Sequence, residues 1–183
     1  LAPNIQTAFD IGTGSGVIAA ILTKRGIPNI IATDTNPKAI ACATANLKRL
    51  GLNKAVNIQS IDLFPKSCAD LIVCNPPWLP AKPTSAIETA LYDPNHAMLT
   101  AFLNGVRKHL NPNGEAWLII SDLAEHLHLH DKDFLNQCFQ TASLNVVDIL
   151  KTKPQHKKAI DETDPLAFAR NKETTYLYRL KTI

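Results

Sequence analysis

The sequence predicts an α/β fold with a mostly parallel sheet covered by helices on both faces. Three observations point there. Short apolar runs and stretches of helical spacing alternate from the first residues to about position 150, the pattern of repeated strand–helix units. Leu71-Ile72-Val73-Cys74 is a continuous apolar run bounded by turn residues, which suits a strand buried on both faces. Glycine, proline, asparagine and aspartate cluster where these runs end. At 183 residues the chain is the size of one domain, spanning 1–183. Its 45% apolar and 19% charged content is that of a soluble globular protein.

Ala8 to Ile11 read as strand one, followed by the turn Gly12-Thr13-Gly14-Ser15-Gly16. Val17 to Arg25 have helical spacing, and Gly26 suits the position just past a helix end. Asn29 to Asp34 form strand two. Asn36 is a good helix N-cap and Pro37 fits the first helical position, so a helix runs from there through Leu50 to a stop at Gly51. Val56 to Ser60 and Ala69 to Cys74 are strands three and four. Residues 79 to 93 read as a long loop with a short helical piece, Ser85 and Glu88 having capping-box spacing. Loops of this length are commonly lids or binding loops. Asp93-Pro94 start a helix that ends near Asn111-Pro112-Asn113-Gly114. Glu115 to Ser121 form strand five. Residues 123 to 142 are helical, with a break near Asp131. Leu144 to Leu150 form strand six, and the alternating Thr174 to Leu180 form strand seven near an edge. With no helix evident between them, the last two strands can pair antiparallel.

The residues suited to chemistry fall at the carboxyl ends of the first four strands, where open α/β sheets bind ligands. Asp10 and the glycine turn come first. Glycines let the backbone bend sharply and approach a ligand closely. A dinucleotide site requires G-x-G-x-x-G, but position 17 is Val and the extra glycine is Gly16. This spacing argues against pyrophosphate and suits a donor without phosphate. Asp34 ends strand two, where an acid can accept the hydroxyls of a ribose, or face solvent or cap the next helix. Asp62 follows strand three, before Leu63 and Phe64. An acid there can accept from an adenine amino group, or serve as an ordinary loop acid. Strand four ends in Asn75-Pro76-Pro77-Trp78: an amide, a free carbonyl on a stiff backbone, and an aromatic plane.

The Asn75-Pro76-Pro77-Trp78 stretch resembles the Asn-Pro-Pro-aromatic motif of the amino-methylating S-adenosylmethionine methyltransferases. The order Asp10 and glycines, Asp34, Asp62, Asn75 to Trp78 is similar to that of the class I S-adenosylmethionine-dependent methyltransferases, in the branch called the methyltransferase small domain. The resemblance covers nearly the whole chain. It implies a Rossmann-like, seven-stranded, mostly parallel sheet with an antiparallel last strand. It implies S-adenosylmethionine as cofactor, with S-adenosylhomocysteine as product. Asp10 with Gly12, Thr13, Gly14 and Gly16 would hold the methionine part, Asp34 the ribose and Asp62 the adenine, with Thr35, Asn36, Leu63 and Asn75 also at the donor. Asn75, Pro76, Pro77 and Trp78 would form the catalytic motif. The target implied is an exocyclic or amide nitrogen, whose N–H bonds the Asn75 oxygen and Pro76 carbonyl accept while Trp78 stacks on the planar group. The substrates it offers are a base in ribosomal or other RNA, which we favour, a protein glutamine, and adenine in DNA. A non-catalytic nucleoside-binding module is the competing class. Trp78 departs from the more usual Tyr or Phe.

Other features read as ordinary. Cys42, Cys68, Cys74 and Cys138 have no CxxC spacing and suit reduced, mostly buried thiols in a cytoplasmic protein. No apolar run reaches membrane-span length, so no membrane partner is expected. His126, His128 and His130 alternate along one helix and read as a solvated face, with no metal expected. The basic stretch of Lys151, Lys153, His156, Lys157 and Lys158 reads as a solvated loop rather than a phosphate contact. A net charge of +3 permits a nucleic-acid substrate without demanding one. Ser15 and Ser121 lack a His and Asp arrangement, so a hydrolase is not indicated. The chain opens on Leu1, a few residues before strand one, and reads as a piece of a longer protein lacking its N-terminal part.

Overall fold

The structure is a computed structural model that describes residues 4–80, 92–153, 169 and 171–183. Among the described residues the elements are β1 (Thr7–Ile11), α1 (Val17–Lys24), β2 (Asn29–Asp34), α2 (Pro37–Arg49), β3 (Val56–Ser60), β4 (Ala69–Cys74), a short 3₁₀ turn (Pro94–His96), α3 (Ala97–His109), β5 (Leu110–Ser121), α4 (Leu123–His126), α5 (Phe134–Thr141), β6 (Leu144–Thr152) and β7 (Thr175–Thr182). They build one seven-stranded sheet in the order β3-β2-β1-β4-β5-β7-β6. The pairs among β3, β2, β1, β4 and β5 are parallel. β7 runs antiparallel between β5 and β6.

Side chains of successive strand residues point to opposite faces, and the core divides accordingly. Ala8, Leu71 and Val73 face the layer of α1 and α2, meeting Ala19, Leu22 and Leu47. Phe9, Ile72 and Cys74 face α3 and α5, meeting Leu99, Phe102, Leu103 and Phe139. The continuous apolar run of β4 is thus explained: both of its faces are dry. Helix starts reflect local chemistry. The Asn36 side chain accepts from Lys38 N at 2.9 Å, and Pro37 occupies the first turn. Asp93 caps α3, accepting from Met98 N at 2.9 Å and Leu99 N at 3.0 Å.

Three expectations change. β5 begins at Leu110 rather than Glu115, because Leu110 pairs with Ala69 before a register shift and Glu115 resumes the ladder against Leu71. Asn111 is tied there, its amide donating to Asp70 Oδ1 at 2.8 Å. The break expected near Asp131 is present and wide, α4 ending at His126 and α5 starting at Phe134. β6 holds the sheet edge, with β7 one strand in, because the returning chain inserts between β5 and β6. Cys42 and Cys68 are exposed, and of the four thiols Cys74 alone is buried. The Ser85–Glu88 capping box lies outside the described residues, as do His156, Lys157 and Lys158. The loop expected over 79–93 is closed at its ends by a bridge between Leu79 and Tyr92.

The antiparallel corner is fastened by one polar network. Arg179 on β7 donates twice to Glu115 on β5, both at 2.8 Å, and once to Asp148 on β6 at 3.0 Å. Trp117 Nε1 also donates to Glu115 at 2.9 Å, and Arg179 lies 6.0 Å from the Trp117 ring centroid. The Arg179 hydrogen bonds hold the Glu115 carboxyl below its ordinary value of 4.5. Its contribution to stability is therefore present above that value and is lost as pH falls below it. Glu115→Ala should lower unfolding free energy by about 1–3 kcal/mol near neutral pH, because Trp117 and Arg179 lose a common acceptor. Urea denaturation checks this. The difference between the two proteins should shrink on acidification.

Candidate active site

The strand order reverses between β1 and β4, and such a switch point opens a crevice at the carboxyl ends of the strands. Register places the candidate residues side by side. Ile11 pairs with Cys74 and with Thr33, so Gly12, Asn75 and Asp34 sit at neighbouring strand ends. A cleft of about 580 Å³ lies there, within the range usual for small-molecule sites. Of the residues expected at the donor, Gly12, Thr13, Gly14, Asp34, Thr35, Asn36, Asp62, Leu63 and Asn75 line it, and so does Pro77. Asp10 and Gly16 are not in the lining, nor are Pro76 and Trp78.

Asp10 lies beneath the turn. It is wholly buried, and its Oδ2 accepts from the Thr13 hydroxyl at 2.6 Å and from Ala19 N at 2.9 Å. This joins β1 to the turn and to α1. Its Oδ1 is buried without a partner among the described residues. Burial, opposed by the Thr13 and Ala19 bonds, raises the carboxyl from 3.8 to about 6. The glycines serve two separate contacts. Gly12 has φ +69°, and a Cβ there would lie 2.6 Å from the Met98 methyl. Gly16 has φ +81°, and a Cβ there would lie 3.2 Å from the Ala43 Cα. The first lets the turn lie against α3, the second lets it approach α2.

Asp34 does more than end a strand. Its Oδ2 accepts from Gly14 N at 3.0 Å and its Oδ1 from Asn36 N at 2.8 Å. One carboxylate thereby fixes both the glycine turn and the start of α2. Each oxygen keeps acceptor capacity for a ligand hydroxyl. Asp62 is exposed at the far side of the cleft. The segment after it is held by Thr33, whose buried hydroxyl donates to the Leu63 carbonyl at 2.6 Å, and by Phe64, stacked on Phe102 and His109. Thr33 and Met98 also line the cleft, beyond the residues the sequence points to. Thr33 carried a weak signal, being a hydroxyl inside an apolar strand. Met98 carried none, because nothing local marks a helix residue as facing a neighbouring turn.

At the end of β4, Asn75 is exposed, Pro76 is buried, and Pro77 and Trp78 are half-buried. The Trp78 indole donates to Asn75 Oδ1 at 3.0 Å. Leu79 is fixed next, its carbonyl accepting from Asp93 N at 2.7 Å. Burial, and then the carboxylates of Asp10 and Asp93, push the Cys74 thiol well up, so it is no thiolate nucleophile. The histidines diverge. His128 is exposed, His126 lies 3.5 Å from Asp122, and His130 packs on His96 and Phe134. The solvated face therefore holds for His128 but not for His130. Among the described residues no group of His, Cys, Asp or Glu could hold a metal ion. Among them, too, no helix is long and apolar enough to cross a membrane.

Residues 1–150 match the model of the methyltransferase small domain family. This chain belongs to that family. It is 34% identical over 134 residues to the release factor glutamine methyltransferase of Cereibacter sphaeroides, covering 66% of this chain and 48% of that protein. It is 31% identical over 123 residues to the tRNA1(Val) (adenine(37)-N6)-methyltransferase of Cytophaga hutchinsonii, covering 63% of this chain and 51% of that protein. The chain thus spans about half the length of these relatives. Among solved structures, geranyl diphosphate methyltransferase in complex with S-adenosylmethionine superposes with a TM-score of 0.72 at 10% identity, covering 100% of this chain and 81% of that one. The ribosomal protein L11 methylase of Lactobacillus delbrueckii gives 0.67 at 18% identity, covering 99% and 72%. The fold of the methyltransferase small domain is accordingly the Rossmann-like fold of S-adenosylmethionine-dependent methyltransferases.

The raised Asp10 carboxyl has a consequence for stability. Its folded value lies above its unfolded one, so the stability it contributes is present below 3.8 and is lost as pH rises through about 6. Between about pH 4 and 7 the wild-type protein should lose roughly 2–3 kcal/mol of unfolding free energy relative to Asp10→Asn, which has no proton to release. Chemical denaturation of both proteins across that range measures it. A constant difference would contradict the assignment.

Proposed function

We propose that this domain transfers a methyl group from S-adenosylmethionine to a planar amide or amino nitrogen. One observation carries the reading: Asn75, at the end of β4, lines the same cleft as the glycine turn and Asp34. The donor half and the acceptor half of a group transfer would therefore share one space. Methyl transfer then needs proximity and orientation more than acid–base chemistry.

The donor fits the residues present. S-adenosylmethionine supplies an activated methyl group next to a cationic centre. Gly12 and Gly14 offer close backbone approach, Asp34 keeps acceptor capacity for ribose hydroxyls, and Asp62 is free to meet the adenine amino group. The buried Asp10 carboxylate, with an oxygen that has no partner among the described residues, favours a cation above the turn. On the acceptor side the target is a poor nucleophile whose lone pair is delocalised. Asn75 Oδ1 and the Pro76 carbonyl would accept its N–H bonds and stabilise the positive charge that builds as the methyl arrives. Trp78 would offer an aromatic face to the planar group.

Two substrate classes are supported by particular relatives. The match to a tRNA adenine-N6 methyltransferase supports an RNA base. The matches to release factor glutamine methyltransferases support a protein glutamine. Both present the same planar nitrogen to Asn75, and both reactions suit the cytoplasm. Incubation with labelled S-adenosylmethionine and separated RNA and protein fractions discriminates them by where the label goes. Label in neither fraction would leave a nucleoside-binding module.

Asn75→Ala should reduce single-turnover methylation about 10²–10³-fold, the usual cost of removing one preorganised group that acts on developing charge. Donor affinity by calorimetry should stay close to wild type, since the amide serves the acceptor. Turnover near wild type would remove Asn75 from the chemistry.

A further inference from the structure

The amide that this reading places at the reacting nitrogen is held by the side chain three residues later. Trp78 Nε1–H donates to Asn75 Oδ1 at 3.0 Å, and the Asn75 side chain makes no other hydrogen bond among the described residues. An indole N–H can only donate. The oxygen of the amide, not its nitrogen, must therefore face Trp78, and this bond decides which way round the amide sits.

The two partners differ in how firmly they are fixed. Trp78 is half-buried and packs against the core cluster that contains Leu99 and Phe102. Its neighbours Pro76 and Leu79 are buried, and the Leu79 carbonyl is bonded to Asp93 N. Asn75 is exposed at the cleft. The anchored ring thus restrains the solvent-facing amide. A carbonyl oxygen has two lone pairs, so one remains to accept from a substrate N–H. Phenylalanine has no donor to offer, and the tyrosine hydroxyl stands at the far tip of its ring.

We infer that Trp78 is a positioning residue that acts through Asn75: its indole N–H locks the amide with the oxygen's second lone pair directed to the acceptor nitrogen. The inference rests on the methyl-transfer reading above for its consequence, but the bond itself is testable without activity. It has a corollary for specificity. The N–H is occupied internally, so Trp78 reads no polar group of the substrate through it.

Two measurements test it. The first is hydrogen exchange of the indole N–H groups by NMR in the full chain, with Trp78→Phe assigning the signal. Trp78 Nε1–H should exchange slowly in the wild type and at least tenfold faster in Asn75→Ala. Trp117 Nε1–H, bonded to Glu115, serves as the internal control and should not change. The second is a double-mutant cycle in single-turnover methylation with labelled S-adenosylmethionine, on whichever of a glutamine-containing peptide and an adenine-containing RNA takes the label. Trp78→Phe keeps an aromatic face and removes the donor, so the rate should fall roughly tenfold, as for releasing one ordered side chain. Half-saturation for the acceptor should move less than twofold. In the Asn75→Ala background Trp78→Phe should cause no further loss, because interacting residues are not additive. Additive losses, or a loss confined to acceptor affinity, would assign Trp78 to stacking alone and overturn the inference. Unchanged indole exchange in Asn75→Ala would overturn it whatever the activity. Faster exchange with no methylation by the wild type would retain the anchoring of Asn75 and refute the methyl-transfer reading instead.

Discussion

The carboxylate of Asp34 accepts from two backbone N–H groups, Gly14 and Asn36, that emerge from different connections. Each belongs to a segment that has just left the sheet, where no strand partner remains to satisfy it. One side chain at the end of β2 thereby sets the shape of the glycine turn and the origin of α2. Below the turn, Asp10 does the same for Thr13 and Ala19. The cleft is thus walled by backbone that two carboxylates hold in place. The arrangement concentrates negative charge: Asp34 adds to the forces that raise Asp10, after burial. A cationic ligand relieves that repulsion, and a phosphate-bearing one increases it.

The end of β4 obeys a different constraint. At β4 the chain stops pairing because two prolines in succession cannot donate to a ladder. The backbone beyond Asn75 is firmly held for several residues: Pro76 is buried, Trp78 packs on the core, and Leu79 is tied to Asp93. The carboxylate of Asp93 in turn starts α3, whose Met98 reaches back over Gly12. The end of β4 and the turn after β1 are therefore linked through the first turn of α3. The two halves of the proposed site are parts of one packed unit, as a methyl transfer limited by orientation would require.

Much of this was legible in the sequence, and the exceptions have physical reasons. The parallel strands announced themselves because both faces are buried, leaving runs such as Leu71 to Cys74 without polar interruption. Helix starts were legible where capping is local, as at Asn36 and Pro37. The insertion of β7 between β5 and β6 was not, because alternation reports which face a residue takes and says nothing about its lateral neighbours. The irregular start of β5 was hidden since Asn111 to Gly114 also satisfy the rules for a turn. At the cleft, the residue types were legible by position along the strands. The double backbone role of Asp34, the anchoring by Thr33 and the bond from Trp78 to Asn75 depend on distances that only the folded chain defines.

The site proposed at the carboxyl ends of β1 to β4 takes a methionine-bearing nucleoside without phosphate. Isothermal titration calorimetry of the protein with S-adenosylhomocysteine and, separately, with NAD addresses it directly. One saturable site for S-adenosylhomocysteine is expected. At 100 times its dissociation constant the ligand should add about 2.7 kcal/mol of stability. NAD should give no binding heat. Saturable binding of NAD without binding of S-adenosylhomocysteine would contradict the account.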